Sequence, residues 1–147
     1  MSNQIPPFRV VGLQVESFQL TGVKPQEGTS VEVHTGYVFG VNPDEHEVMA
    51  RLTYTYMQSD KELLKMTLIT SFDVKPDAFK AMLNGNTFTL EPFFLQYLST
   101  INVGAARGEL HARCEQAGSE LANIILPPIN LVEALPDPIV ITIQEPN

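Results

Sequence analysis

His111 and Cys114 stand as H-x-x-C within "VGAARGELHARC", a spacing that places an imidazole and a thiol about one turn apart on a helix. Two such donors begin a zinc site, which needs four N, S or O ligands, or three when catalytic. The other two histidines, His34 and His46, fall on a strand and in a turn, and Cys114 is the only cysteine. The set is not completed, so no metal is expected. "PDEHE" (43–47) packs three carboxylates and an imidazole into one turn, but without the calcium-loop spacing and its glycine. It reads as a solvated hairpin turn. A serine or cysteine nucleophile needs a base held by a third group, and no G-x-S-x-G context occurs. Carboxylate pairs lie in no pocket-forming motif. Neither a catalytic residue nor a cofactor is expected, and the chain is read as a non-enzyme. Gly104 and Gly108 form G-x-x-x-G, a helix-dimerisation motif in membranes. With Arg107, Glu109 and Arg113 flanking it, the motif reads here as close packing in water.

The totals bound the partners. At 147 residues the chain is expected to form one domain, 1–147, with a core large enough to need no staples. A formal charge of −8, from 9 basic and 17 acidic residues, argues against a nucleic-acid surface and against docking on anionic lipid. It suits solubility or a basic partner. One cysteine makes no internal disulfide. No secretory signal is visible, and no window approaches 18 consecutive apolar residues. A reducing cytoplasm is the expected compartment, with no membrane insertion.

The elements that position these residues begin with strands. "FRVVGLQVESFQL" (8–20) is rich in β-formers and changes phase near Val10, Val11 and Gly12, which predicts a bulge. "VKPQEGTS" (23–30) breaks the pattern and is free to cross a sheet. Val31, Val33, Thr35, Tyr37, Phe39 and Val41 then share a face with a period of two. So do Val48, Ala50, Leu52, Tyr54 and Tyr56, and again Leu64, Met66, Leu68, Thr70, Phe72 and Val74. "NPDEHE" and "QSDKE" are the turns of an antiparallel meander with one buried face. "PDAFKAML" (76–83) predicts a short helix closed by Asn84-Gly85.

A second helix is predicted over 92–117, about 39 Å long at 1.5 Å per residue, with Gly118 as its C-cap. Phe94, Leu98, Ile101, Ala105, Gly108 and Ala112 make one stripe; Val103, Ala106, Leu110, Cys114 and Ala117 make another. The small residues Gly104, Ala105, Gly108 and Ala112 leave a low-relief surface. The apolar segment "LANIILPPINL" (121–131), kept extended by its prolines, is the candidate to lie along it. The apolar groups around 93–101 and 121–131 exceed what one sheet face covers, so the excess is expected to meet a partner subunit or a ligand.

At these residues the sequence resembles the SecB-type protein-export chaperones. The resemblance rests on "SFDVKP" (71–76) closing the fourth strand and on "FFLQYLSTINVGAARGELHARCEQAGSELANIILPPINL" (93–131), with its Leu126, Pro128, Ile129 and Asn130 pattern; it extends over about residues 8 to 133. It implies an α+β fold, a four-stranded antiparallel meander with a long helix packed on or beside it. It also implies a homo-oligomer, a dimer of dimers, with the long helix at a subunit interface. Unfolded client polypeptides would bind without ATP or cofactor in an apolar groove that the 23–30 crossover helps to form. The implied groove or interface residues are Phe93, Phe94, Tyr97, Leu98, Ile101, Ile125, Leu126, Ile129 and Leu131.

The family usually continues with a second long helix and a polar tail, through which export chaperones contact the preprotein translocase motor. Here "LVEALPDPIVITIQEPN" predicts a short helix at 131–135, stopped by Pro136 and Pro138, and a strand at 139–143. The expected function is a cytoplasmic, ATP-independent holdase for unfolded or preprotein polypeptides; the resemblance implies protein export and the translocase motor as a partner, and the shortened C-terminus leaves open a generalised member not dedicated to export. The alternative is a structural or adaptor module that binds one defined protein partner, with the 139–143 strand available to add to a sheet edge.

Overall fold

A computed structural model describes residues 5–143. Strands β2 (Glu32–Asn42), β3 (Glu47–Gln58) and β4 (Lys61–Val74) form the meander that the period-two pattern predicts. Every member of the predicted inward sets on β3 and β4 is buried. The β3–β4 hairpin turns through Ser59 and Asp60, at φ 49° and 64°. These left-handed conformations match the turn to the right-handed strand twist.

Strand β1 (Phe8–Leu20) pairs antiparallel with the far side of β4, giving the order β1-β4-β3-β2. The first two strands therefore lie at opposite edges, and residues 21–31 carry the chain across. Gln58, buried at the end of β3, clips this crossover: its Oε1 accepts from Gln26 N at 2.6 Å, and its Nε2 donates to the carbonyls of Gln26 and Thr29 at 3.0 and 2.8 Å. The register of β1 skips at Val11, where the phase change predicts a bulge, and again at Glu16. Each extra residue resets the alternation. Phe8, Val10, Leu13, Val15, Phe18 and Leu20 consequently all stand opposite inward residues of β4.

After Pro76 the chain forms α1 (Pro76–Ala81), shorter than the predicted 76–83. Leu83–Asn84 (β5) instead pairs with Thr87–Leu90 (β6). Gly85, at φ 64°, serves this hairpin turn rather than a helix cap. The pairing removes Leu83 from the helix; at two residues, β5 is too short a strand signal to register in sequence.

Helix α2 (Pro92–Gln116) lies over β3 and β4. Gly118 at φ 68° ends it: Ser119 N donates to Cys114 O at 2.9 Å and Gly118 N to Glu115 O at 3.1 Å, a Schellman closure. Asn102, fully buried, keys the helix to the sheet. Its amide nitrogen donates to Leu68 O and Thr70 Oγ1, both at 3.1 Å, and to Ala50 O at 3.3 Å. Its carbonyl accepts from the Tyr54 hydroxyl at 2.8 Å. The buried Tyr56 and Ser99 hydroxyls find no partner among the described residues.

Beyond α2 come a 3₁₀ turn at Glu120–Asn123, an extended run, the four-residue α3 (Leu131–Ala134) and β7 (Ile139–Thr142). The short helix and the strand fall where the prolines predict them. Strand β7 pairs with β6 of its own chain, completing a small sheet of order β5-β6-β7.

Candidate polypeptide-binding cleft

The run after α2 doubles back along the helix, as expected, but on a different face. Arg107 donates from Nε to Leu126 O at 2.6 Å and from a terminal nitrogen to Pro127 O at 3.3 Å. His111 Nδ1 bonds Ala122 O at 2.9 Å. The segment thus runs beside the Arg107–His111 side of α2 and not along the small-residue stripe. A Cβ added at Gly104 or Gly108 meets none of the described residues within 4 Å. Small side chains are therefore not what docks the run. Two polar side chains instead satisfy carbonyls that the extended, proline-containing run leaves without strand partners. These bonds also separate the H-x-x-C pair: Cys114 points into the core, while His111 serves the run.

Near the N-terminal end of α2, the returning chain leaves a cleft of about 380 Å³. Phe93, Gln96, Tyr97 and Thr100 line it from the helix, and Ile129 to Val132 line it from the opposite wall. No lining residue is ionisable at neutral pH. Phe93, Tyr97 and Val132 are 42%, 45% and 69% exposed, a large share for apolar or aromatic side chains. Tyr97 is steadied by an edge-on contact with Phe8, their centroids 5.7 Å apart. The wall is held by Gln96, whose Nε2 donates to Leu135 O at 3.0 Å, and by the buried Leu135 side chain. Asn130 caps α3 by accepting from Glu133 N at 3.1 Å.

Of the nine residues singled out in sequence, Phe93, Tyr97, Ile129 and Leu131 meet in this cleft. Phe94, Leu98 and Leu126 are buried in the chain's own core, beneath the surface they support. Ile101 is half-buried against the core, and Ile125 is 53% exposed on the returning run. Gln96, Thr100, Asn130 and Val132 were not among the nine, Asn130 entering only through the resemblance pattern. Three are polar, and a search for excess apolar surface passes over them; Val132 carried a usable signal, an aliphatic residue inside a helix too short to bury it.

A second cleft, about 310 Å³, opens at the other end of α2. The crossover contributes Gly22 to Pro25, and the turn after α2 contributes Gly118 to Leu121. The predicted crossover over 23–30 therefore does border a cleft, through Val23, Lys24 and Pro25. Between the two ends, along the β1 side of α2, Val10 and Leu13 remain about half exposed on the inward face of the edge strand.

Burial pushes Tyr56 up to about 12 and the Cys114 thiol upward too. Hydrogen bonding from Arg51 lowers the Glu16 carboxyl, in an exposed pair bridging β3 and β1 at 2.6 Å. Among the described residues no cluster of three or more potential metal ligands occurs, and no helix is long and apolar enough to cross a membrane.

No protein-family profile matches the chain, and no curated protein sequence matches it. Among solved structures it is similar to Rv1957 of Mycobacterium tuberculosis, a SecB-like chaperone solved in complex with a ChAD peptide from the Rv1956 HigA1 antitoxin. The TM-score is 0.57 over 84% of this chain and 90% of that one, at 10% identity. The likeness is one of fold: a SecB-like arrangement of four-stranded antiparallel sheet and long helix.

Proposed function

We propose that this SecB-like chain is an ATP-independent chaperone that holds unfolded polypeptide segments in its apolar clefts, in the cytoplasm and as a homo-oligomer. The observation that carries the reading is the cleft beside Phe93 and Tyr97: half-exposed apolar walls without charge, on a protein of net charge −8. Apolar surface is retained there at a cost in solubility that the acidic remainder offsets. A client side chain burying ~100 Å² gains about 2.5 kcal/mol at ~25 cal/mol per Å². Gln96, Thr100 and Asn130 supply hydrogen-bonding groups for an extended backbone without selecting a sequence. The SecB-like neighbour, itself solved with a bound peptide, supports polypeptide as the ligand class.

Assembly is proposed through the open flank of α2. Gly104 and Gly108 permit close approach there, and Val10 and Leu13 add apolar area beside an unpaired strand edge. The role is a general one, because α3 and β7 stand where the resembled family carries a long helix and a tail.

The deciding experiment follows light scattering of a slow-folding client during refolding. Stoichiometric protein should suppress aggregation and slow release of the native client; no change in either rejects the reading. The second reading is an adaptor for one defined protein, favoured by the neighbour's peptide coming from a single partner. An apolar dye separates the two. Strong binding to the native oligomer supports the chaperone, and no binding supports an adaptor whose apolar surface is consumed by assembly.

A further inference from the structure

The outer wall of the Phe93–Tyr97 cleft packs on the core through Ile129, Leu131 and the buried Leu135, but few hydrogen bonds fix it there. Residues 129–135 lie between Pro127-Pro128 on one side and Pro136 and Pro138 on the other, positions without a backbone N–H to give to a neighbouring strand. The described hydrogen bonds that tie this wall to the body are few. Arg107 holds Leu126 and Pro127 upstream, and Gln96 holds Leu135 near its downstream end. The remaining bonds of the wall are its own, within α3 and its Asn130 cap. Downstream, the next anchorage is β7, four residues long, paired to β6 and extended by Ile143 N donating to Asn86 O at 2.7 Å. Val140 on this strand is 58% exposed, while Ile139 and Ile141 on its other face are only partly buried against the core. Short edge pairings with exposed side chains open at a small fraction of the global unfolding free energy.

We propose that β7 is a releasable strap: paired to β6 it holds the 129–135 wall against α2, and unzipped it lets the wall swing out and widen the cleft. A cleft of about 380 Å³ accepts one or two side chains, whereas a polypeptide must be admitted as a continuous chain, so entry requires the wall to yield. Gln96 then acts as the inner catch, since its bond to Leu135 must part when the strap lets go. The purpose of the strap rests on the cleft being a polypeptide site; its mechanics do not.

The strand register supplies a reversible lock. Thr89 N bonds Met82 O on the β5 side, and Ile143 N bonds Asn86 O, so Thr89 and Val140 face one another as a non-hydrogen-bonded pair. Such pairs bring Cα atoms to about 4.5 Å, within disulfide reach. The native Cys114 is buried on α2 and does not compete. The double variant Thr89→Cys/Val140→Cys is compared oxidised and reduced, in full-length protein, by hydrogen exchange over residues 129–142. The second measurement is association with a permanently unfolded probe, reduced and carboxymethylated lactalbumin. Oxidation should slow exchange of the wall amides at least tenfold and slow probe association by a similar factor, with reduction restoring both. Unchanged wall exchange on oxidation overturns the strap. Slowed exchange with no probe binding in either state supports the strap and rejects the polypeptide site. Thr87→Cys/Thr142→Cys, the neighbouring pair of the same kind, repeats the test should the first fail to fold.

Discussion

The Tyr54 hydroxyl donates to Asn102 Oδ1 across 2.8 Å in a fully buried setting, while the hydroxyl of Tyr56, two residues along the same strand face, meets no partner among the described residues. Two identical side chains therefore oppose each other energetically. Tyr54→Phe should cost about 1–1.5 kcal/mol, the usual net value of a buried hydrogen bond. Tyr56→Phe should be neutral or stabilising by up to ~1 kcal/mol, because it removes a desolvated hydroxyl. Asn102→Ala strands several groups at once and should cost about 3 kcal/mol. Urea unfolding of the three variants checks the order.

Arg107 reaches two successive carbonyls with different nitrogens of one planar group, geometry that an ammonium does not reproduce. Arg107→Lys should therefore lose nearly as much as Arg107→Ala, about 1 kcal/mol in each case after allowing for partial exposure. Proteolysis between Ile124 and Asn130 should accelerate in both variants. A fully wild-type cleavage rate in the lysine variant would assign the arginine to charge alone.

Val132 is exposed, so Val132→Asp should leave unfolding stability within about 0.5 kcal/mol of the parent, whereas Tyr97→Asp also loses the edge-on contact with Phe8 and should cost about 1 kcal/mol more. The same changes place a carboxylate in an uncharged cleft and should abolish dye and polypeptide binding. Binding that persists in both variants places the client elsewhere.

Gly104→Gln/Gly108→Gln separates assembly from folding. Each substitution replaces a helix-interior glycine with a good helix former where no neighbour stands within 4 Å, so the isolated subunit should gain about 0.5–1 kcal/mol per site. The added side chains obstruct the open flank, and light scattering should report a smaller particle. An unchanged mass would reject the proposed assembly through this face.

Burial raises Tyr56 to about 12 and holds Tyr54 well above the ordinary phenol range. The folded state binds protons that the unfolded state surrenders above about pH 10. This stabilising contribution is intact below pH 10 and fades as pH climbs towards 12, by up to about 1.4 kcal/mol per pH unit for each group. After a jump to pH 11.5, the tyrosinate absorbance of these two residues should grow in at the rate of unfolding.

The sheet was legible because strict alternation survives from Val31 to Val74, and the long helix because its caps and both stripes are local signals. The second bulge, at Glu16, was not: nothing near it breaks the β pattern as Gly12 does. The β5–β6 hairpin hid because Leu83–Asn84 is two residues long and continues a helical signal. The cleft was half legible. Aromatic and aliphatic excess marked Phe93 and Tyr97, but could not tell them from Phe94 and Leu98, one residue away on the same helix. Which way a helix rolls onto a sheet is decided by Asn102, and a lone asparagine among apolar residues does not announce that it will find four partners. The face chosen by the returning chain depended on Arg107 satisfying carbonyls distant in sequence, an interaction that spacing does not encode.

The two extra residues in β1 have an effect beyond restoring alternation. Each interrupts the ladder and sharpens the local coil, so the outermost backbone groups of this long border strand offer no straight, evenly spaced template. Indiscriminate stacking into fibrils needs such a template; a mate shaped to the same irregularities does not. On the proposed chaperone reading, a protein that keeps company with sticky, half-made chains would thereby be kept from becoming the seed on which they accumulate.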